Sequence, residues 1–247
     1  MTRASAVFAG LALMLSGIVQ AHDITVLSGG AVEPGLNAAA AAFHKETGHA
    51  VKITYNTTPQ IRKRVAAGET FDVVIAPPAA IKEFAAAGKV GFGGAEVGKV
   101  GLGVVVRPGA PVPDIANADA IRRAVLEAES IVFNRASSGL YFEGLLKKMG
   151  VYEQIEAKAA RYATGAEVME HLLKGKGKEV GFGPITEILQ YKDKGLRLVG
   201  PLPEDIQNYT SYTAVAMSAG TNKEEAQQLV RYLGGPGKRL FVAAGIE

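Results

Sequence analysis

The chain has 247 residues, 27 Lys plus Arg against 24 Asp plus Glu, and a formal net charge of +3. That balance is too mild for a nucleic-acid surface, and the basic residues are not interleaved with aromatics in a stacking pattern. The chain has no Cys, which excludes disulfides, thiolate catalysis, thiolate metal sites and lipid attachment through Cys.

Arg3 precedes an uncharged apolar stretch, Ala4 to Val19, and Val19-Gln20-Ala21 then offers small residues at −3 and −1 of a cut after Ala21. This order predicts a secretory signal peptide over residues 1–21. The stretch is too short and too weakly flanked for a stable membrane span, and no later segment is long and apolar enough to cross a bilayer. A free periplasmic protein is expected. Without Arg3 the net charge is +2, a mild bias that suits a small anion.

From residue 24 onward, β-rich runs alternate with helical patterns. Ile24 to Leu27 predicts a strand, followed by a helix from Pro34 to Thr47 closed by Gly48. Val51 to Tyr55 predicts the next strand, with a helix over Pro59 to Ala67 stopped by Gly68. Asp72 to Ala76 and the helix Pro78 to Ala87, with Gly88 behind it, repeat the unit. Each Gly stands where a left-handed C-cap is wanted. Strand–helix–strand repetition implies a parallel sheet covered by helices.

After the Gly-rich stretch 91–98, Lys99 to Val106 predicts a long apolar strand. Strands follow at Ser130 to Asn134, Val180 to Phe182, Leu196 to Val199 and Tyr212 to Met217. Helices are expected over Ser138 to Met149, Gly165 to Lys174, Lys223 to Leu233 and Gly237 to Ala244. This reads as two α/β lobes, the first of residues 22–100 plus 216–247 and the second of 101–215. The chain would cross twice, near Gly101–Val106 and near Thr213–Met217, which permits a two-segment hinge.

Ligand crevices in open parallel sheets lie beyond the carboxyl ends of the strands. Small polar residues cluster at four such ends: Ser28-Gly29-Gly30-Ala31, Thr57-Thr58-Pro59-Gln60, Asn134 to Gly139, and Gly181 to Pro184. Three run directly into a helix, whose free N–H groups and partial positive charge favour anions. Helix capping alone needs the same residues, so convergence on one cleft is what would distinguish a site. Ser28, Gly29, Gly30, Thr57 and Thr58 are expected on one wall. Arg62 lies four residues beyond Thr58 on the same helix face, where a bound anion would offset its unfavourable place near a helix start. Arg135, Ser137 and Ser138 would close from the other lobe, with the Arg135 guanidinium able to grip a carboxylate by two hydrogen bonds.

No dinucleotide or phosphate-loop motif is present, and no cofactor is expected. His22, His44, His49 and His171 are scattered. His44 and His49 flank the end of the first helix and read as a solvated helix end, so no metal site is assigned. A cut after Ala21 would make His22 the amino terminus, where a copper site is the alternative.

Ile24 to Ala31, Ala67-Gly68-Glu69-Thr70-Phe71-Asp72-Val73-Val74-Ile75-Ala76, Ser138-Gly139-Leu140-Tyr141 with Lys148-Met149-Gly150, and Gly181-Phe182 with Thr186-Glu187 resemble the periplasmic molybdate/tungstate-binding proteins and their relatives among solute-binding proteins. The resemblance implies a type II periplasmic-binding fold, a monomer, and delivery of a small anion to an ABC transporter permease in the inner membrane. It also exposes departures: the family's first-loop Ser matches Ala31, its second-loop Ser falls near Pro59, and its ligand Tyr aligns with Pro184. A dry oxyanion site cannot lose such donors cheaply, so an organic carboxylate is favoured over molybdate. Periplasmic aconitate isomerase resembles the same proteins. An enzyme of that kind needs a base within reach of an allylic C–H, for which Glu33 and Glu187 are the candidates.

Overall fold

A computed structural model describes residues 22–247; the expected signal peptide lies outside the described residues. The first half runs β1 (Asp23–Gly29), α1 (Glu33–Thr47), β2 (Ala50–Asn56), α2 (Thr58–Ala66), β3 (Val73–Ala76) and α3 (Pro78–Ala86), then enters the long β4 (Ala95–Val106). Next come α4 (Ala118–Glu127), β5 (Ser130–Asn134), α5 (Ser137–Lys148), α6 (Tyr152–Ile155), β6 (Ala159–Tyr162), α7 (Gly165–Lys174), β7 (Glu179–Pro184), α8 (Ile185–Leu189) and β8 (Arg197–Pro201). β9 (Tyr209–Ala216), α9 (Lys223–Gly234) and α10 (Lys238–Ala243) end the chain. Among the described residues no helix is long and apolar enough to cross a membrane.

The strands form one continuous path, β2-β1-β3-β9-β4-β7-β5-β6, with β8 pairing β4. β4 is twelve residues long and serves both ends of this path. Its Ala95–Gly101 portion pairs antiparallel with β9, and Leu102–Val106 pairs antiparallel with β7 and β8. Beyond these junctions, β1 runs parallel to β2 and β3, and β5 runs parallel to β6 and β7.

Strand alternation splits each half into two cores. In β1 and β3, Ile24, Val26, Val73 and Ile75 face α1, α9 and α10, while Leu27, Val74 and Ala76 face α2 and α3. The second half repeats the pattern. Val104, Ile131, Phe133 and Phe182 pack with Phe142 of α5, and Val105 and Val132 pack with Val168, Met169 and Leu172 of α7. Sheets covered on both faces need such unbroken apolar runs. Phe142 stacks on Phe182 with centroids 3.8 Å apart and meets Phe133 edge-on at 5.4 Å.

Two expectations differ from the structure in detail. The last strand is expected over Tyr212 to Met217; β9 instead spans Tyr209–Ala216 and pairs from Tyr209 with the first part of β4. Its polar start, Tyr209-Thr210-Ser211, carries no apolar run to reveal a strand. α4 also went unread, although Asn117 caps it by accepting from the Ala120 amide at 2.9 Å.

Asp72 ties the first half together. Its buried carboxylate accepts from the Thr25 amide and hydroxyl of β1, both at 2.8 Å, and from the Thr221 and Asn222 amides before α9, both at 2.9 Å. Burial pushes this carboxyl upward, but the combined hydrogen bonds hold it below the usual aspartate range. Its stabilising effect is therefore complete at neutral pH and is lost as pH falls through the lowered pKa. Asp72→Ala strands several buried donors and is expected to cost about 3 kcal/mol in urea unfolding at pH 7. A variant as stable as the parent would contradict this role.

Candidate functional site

The carboxyl ends of β1, β2, β5, β6 and β7 meet around a cavity of about 400 Å³. Each contributes the turn that follows it. Gly29, Gly30 and Ala31 come from β1, Thr57 and Thr58 from β2, Ser137 and Ser138 from β5, Thr164 and Gly165 from β6, and Pro184 and Glu187 from β7. Tyr212 of β9 also lines the cavity, its ring lying where a β-carbon on Gly29 would come within 2.6 Å.

Four helices of nine or more residues, α1, α2, α5 and α7, begin at this cavity, α1 through a short 3-10 turn at Gly30–Val32. At α2 the Thr57 amide donates to Gln60 Oε1 at 2.9 Å, and at α7 the Thr164 amide donates to Glu167 Oε2 at 2.8 Å. Helix α5 follows Ala136, whose side chain cannot cap it; Asn134 Oδ1 instead accepts from the Ala136 and Gly139 amides at 2.9 and 3.1 Å. Each helix start carries about half a positive charge, so the four together supply roughly +2. Among the described residues no Lys, Arg or His lines the cavity, so helix dipoles, amides and hydroxyls are the positive features these residues supply.

Two contacts bring the halves together. Ser137 Oγ donates to Thr58 Oγ1 at 3.1 Å, and buried Thr186 Oγ1 donates to the Ala31 carbonyl at 2.6 Å. Both pairs join residues of the β1/β2 side to residues of the β5/β7 side, so hydrogen bonds link the two sides around the cavity.

Its charged groups are two carboxyls. Glu187 Oε2 is inaccessible to solvent and has no hydrogen-bond partner. Burial first, and repulsion from Glu33 second, push the Glu187 carboxyl up from 4.5 to about 7. Glu33 is raised as well, by burial, with the Asn37 side chain acting in the opposite direction. Glycine makes room for this carboxylate: a β-carbon on Gly165 would collide with Glu187 Oε2, and one on Gly30 would lie 3.3 Å from Oε1. A carboxyl poised near neutrality in an enclosed cleft can hold or release a proton at physiological pH.

Of the residues expected from the sequence, Gly29, Gly30, Thr57, Thr58, Ser137 and Ser138 line the cavity, and Ser28, Arg62 and Arg135 do not. Ser28 is fully buried and its hydroxyl donates to the Gly29 carbonyl at 3.1 Å. Arg62 is drawn to Glu83 of the adjoining α3, with Nε and Nη2 donating at 2.7 and 3.0 Å. Arg135 is exposed, and its amide donates to the Tyr162 carbonyl. Capture by guanidinium groups is therefore corrected: the charges proposed for it lie outside the cavity. Thr164 and Gly165 were missed, although Thr164-x-x-Glu167 is a capping-box pattern that marks a helix start. Asn134, part of the small-polar cluster 134–139, lines the cavity as well, whereas Gln190, Tyr191 and Tyr212 carry no sequence signal beyond being polar or aromatic.

The sequence profile of bacterial extracellular solute-binding proteins matches residues 24–247. An aconitate isomerase from Pseudomonas sp. is 30% identical over 217 residues, covering 85% of this chain and 81% of that protein. Among solved structures, the periplasmic molybdate-binding protein of Azotobacter vinelandii aligns with a TM-score of 0.75 at 18% identity, covering 91% of this chain and 98% of that one. The sulfate-binding protein of Mycobacterium tuberculosis aligns at 0.72 and 20% identity, covering 91% and 86%. These structures share the type II periplasmic-binding fold that the sequence predicted.

The Glu187 carboxyl is expected to titrate by ¹³C NMR with a midpoint near 7. Glu33→Gln removes the repulsion and lowers that midpoint. A Glu187 titration near 4.5, unmoved by the Glu33 change, would contradict the electrostatic picture.

Proposed function

We propose that this chain, which belongs to the bacterial extracellular solute-binding protein family, encloses a small polycarboxylate in the periplasm and isomerises it by moving an allylic proton. The observation that carries this reading is Glu187, a buried carboxyl whose Oε2 has no partner, near neutrality, in a cavity that no cationic side chain lines among the described residues. A receptor that only holds anions gains nothing from a second carboxyl facing its ligand. A proton-transfer site needs one. The 30% identity to an aconitate isomerase supports the same substrate class.

In this reading Thr58, Ser137, Ser138 and the amides at the helix starts receive the substrate's carboxylates. Ionised Glu187 takes a proton from the methylene next to the carbon–carbon double bond. The electron pair left behind moves through the former double bond, and negative charge spreads onto the adjoining carboxylate. Donors fixed at the helix starts meet that charge without reorganising. Glu187 then returns the proton to the far carbon, so the double bond has shifted by one position and no atom is gained or lost. No cofactor takes part in these steps.

Ala31 and Pro184 argue against a molybdate-type oxyanion. Both line the cavity, and neither has a side-chain donor. A second reading, in which the protein only carries an anion to an ABC permease, is favoured by the cross-cleft contacts of Ser137 with Thr58 and Thr186 with Ala31, which suit hinge closure on a ligand.

Purified protein with trans-aconitate in D₂O, followed by NMR, separates the two. An isomerase gives the cis isomer, with deuterium at the new methylene to the extent that the proton on Glu187 exchanges with solvent before its return, and kcat/KM rises with pH to a plateau above about 7, the ionisation of free Glu187. Glu187→Gln should lower the rate by about 10²-fold or more. The same variant should melt higher than the parent at pH 8 and not at pH 4. A raised carboxyl pKa makes the folded state bind more protons than the unfolded state, so the parent loses stability between pH 4.5 and 7. Thermal stabilisation by aconitate without interconversion would leave the receptor reading and overturn the isomerase.

A further inference from the structure

A second constellation lies outside the cavity, at the edge of the first half where β1 and β2 begin. Parallel pairing sets Asp23 opposite Ala50, and the Ala50 amide donates to the His22 carbonyl at 3.1 Å. That register leaves His22 and His49 side by side at the head of the two strands. Gly48, at φ 80°, ends α1 and turns the chain so that His49 enters β2. The His22 main-chain nitrogen lies 3.2 Å from His49 Nδ1, and His22 Nδ1 lies 2.7 Å from Glu225 Oε1 of α9. The rings are 5.9 Å apart. His49 is 7% exposed and packs beside Phe43, while the Glu225 side chain is 19% exposed.

Among the described residues, His, Cys, Asp and Glu side chains alone make no group of three able to hold a metal. The donor that changes this belongs to the main chain. We propose that a cut after Ala21 turns the His22 nitrogen into a free amine and thereby creates a copper(II) site from that amine, His22 Nδ1, His49 Nδ1 and Glu225. A peptide nitrogen at this position donates a hydrogen to His49; an amine offers a lone pair instead. The amine and Nδ1 of His22 belong to one residue and can chelate a single ion. For metal–ligand bonds of about 2.0 Å, neighbouring donors around a square-planar ion stand about 2.8 Å apart. The observed separations of 3.2 and 2.7 Å bracket that spacing. Mixed nitrogen and oxygen donors in a tetragonal set select copper(II), which also stands highest among divalent first-row ions for such ligands. Nothing here draws on the reading of the central cavity.

The experiment uses the chain beginning at His22, the same chain carrying an acetylated alanine before His22, and His49→Gln in the first form, each checked for folding by circular dichroism. Calorimetric titration with copper(II) at pH 7 is expected to give one site per chain, weakened at least 30-fold by the acetylated extension and by His49→Gln. Electron paramagnetic resonance of the parent complex should show coupling to three nitrogens. Equal affinity in the extended chain, unchanged affinity in His49→Gln, or coupling to fewer than three nitrogens would each overturn the site. Amino-terminal sequencing of the exported protein must read His22 first; any other start overturns its existence in the cell.

Discussion

Among the described residues, negative charge in the central cavity has to be met without a cationic side chain, and the arrangement of the surrounding chain follows from that constraint. Four helix starts provide roughly +2 in partial charges, against two carboxyls that would together carry −2 if both were ionised. Burial tips Glu187 toward its neutral form, so an anion binds most tightly while that proton stays, and the ionised base is the less populated, reactive form of the complex. The glycines at 30 and 165 serve the same end, admitting the Glu187 carboxylate close to the backbone.

Topology puts these pieces together. Parallel strands within each half align their carboxyl ends, and the antiparallel pairing of β4 with β7 and β9 turns the two sets of ends toward each other. The shared strand β4 and the stretch between β8 and β9 are the covalent links of the halves. The Thr58–Ser137 and Thr186–Ala31 hydrogen bonds are their contacts across the cleft. The Thr58–Ser137 contact uses two cavity-lining hydroxyls, which can trade partners with a ligand at small net cost.

Much of this was legible in the chain. The periodic runs and their terminal glycines marked β1, α1, β2, α2, β3 and α3 within a residue or two, and the small polar residues at 29–30, 57–58 and 137–138 do line the cavity. The rest was hidden for physical reasons. β6, Ala-Ala-Arg-Tyr, is half-buried along its length and shows neither alternation nor an apolar run, so the helix start at Gly165 is legible without the strand that carries it to the cavity. Arg62 has the right place on α2, yet its partner Glu83 lies 21 residues further on, and such long-range pairing leaves no local mark. Glu33 and Glu187 could be named as acids in sequence, but only packing shows that they share one cavity.

Proton linkage tests the central claim most directly. Calorimetry of propane-1,2,3-tricarboxylate, which lacks the double bond and cannot isomerise, can be run at pH 8 in buffers of different ionisation heat. The account predicts uptake of close to one proton per ligand, since the bound anion drives Glu187 to its neutral form, and affinity falling nearly tenfold per pH unit above 7. Glu187→Gln should abolish both effects. Binding with no proton uptake and equal affinity at pH 7 and 9 would contradict it.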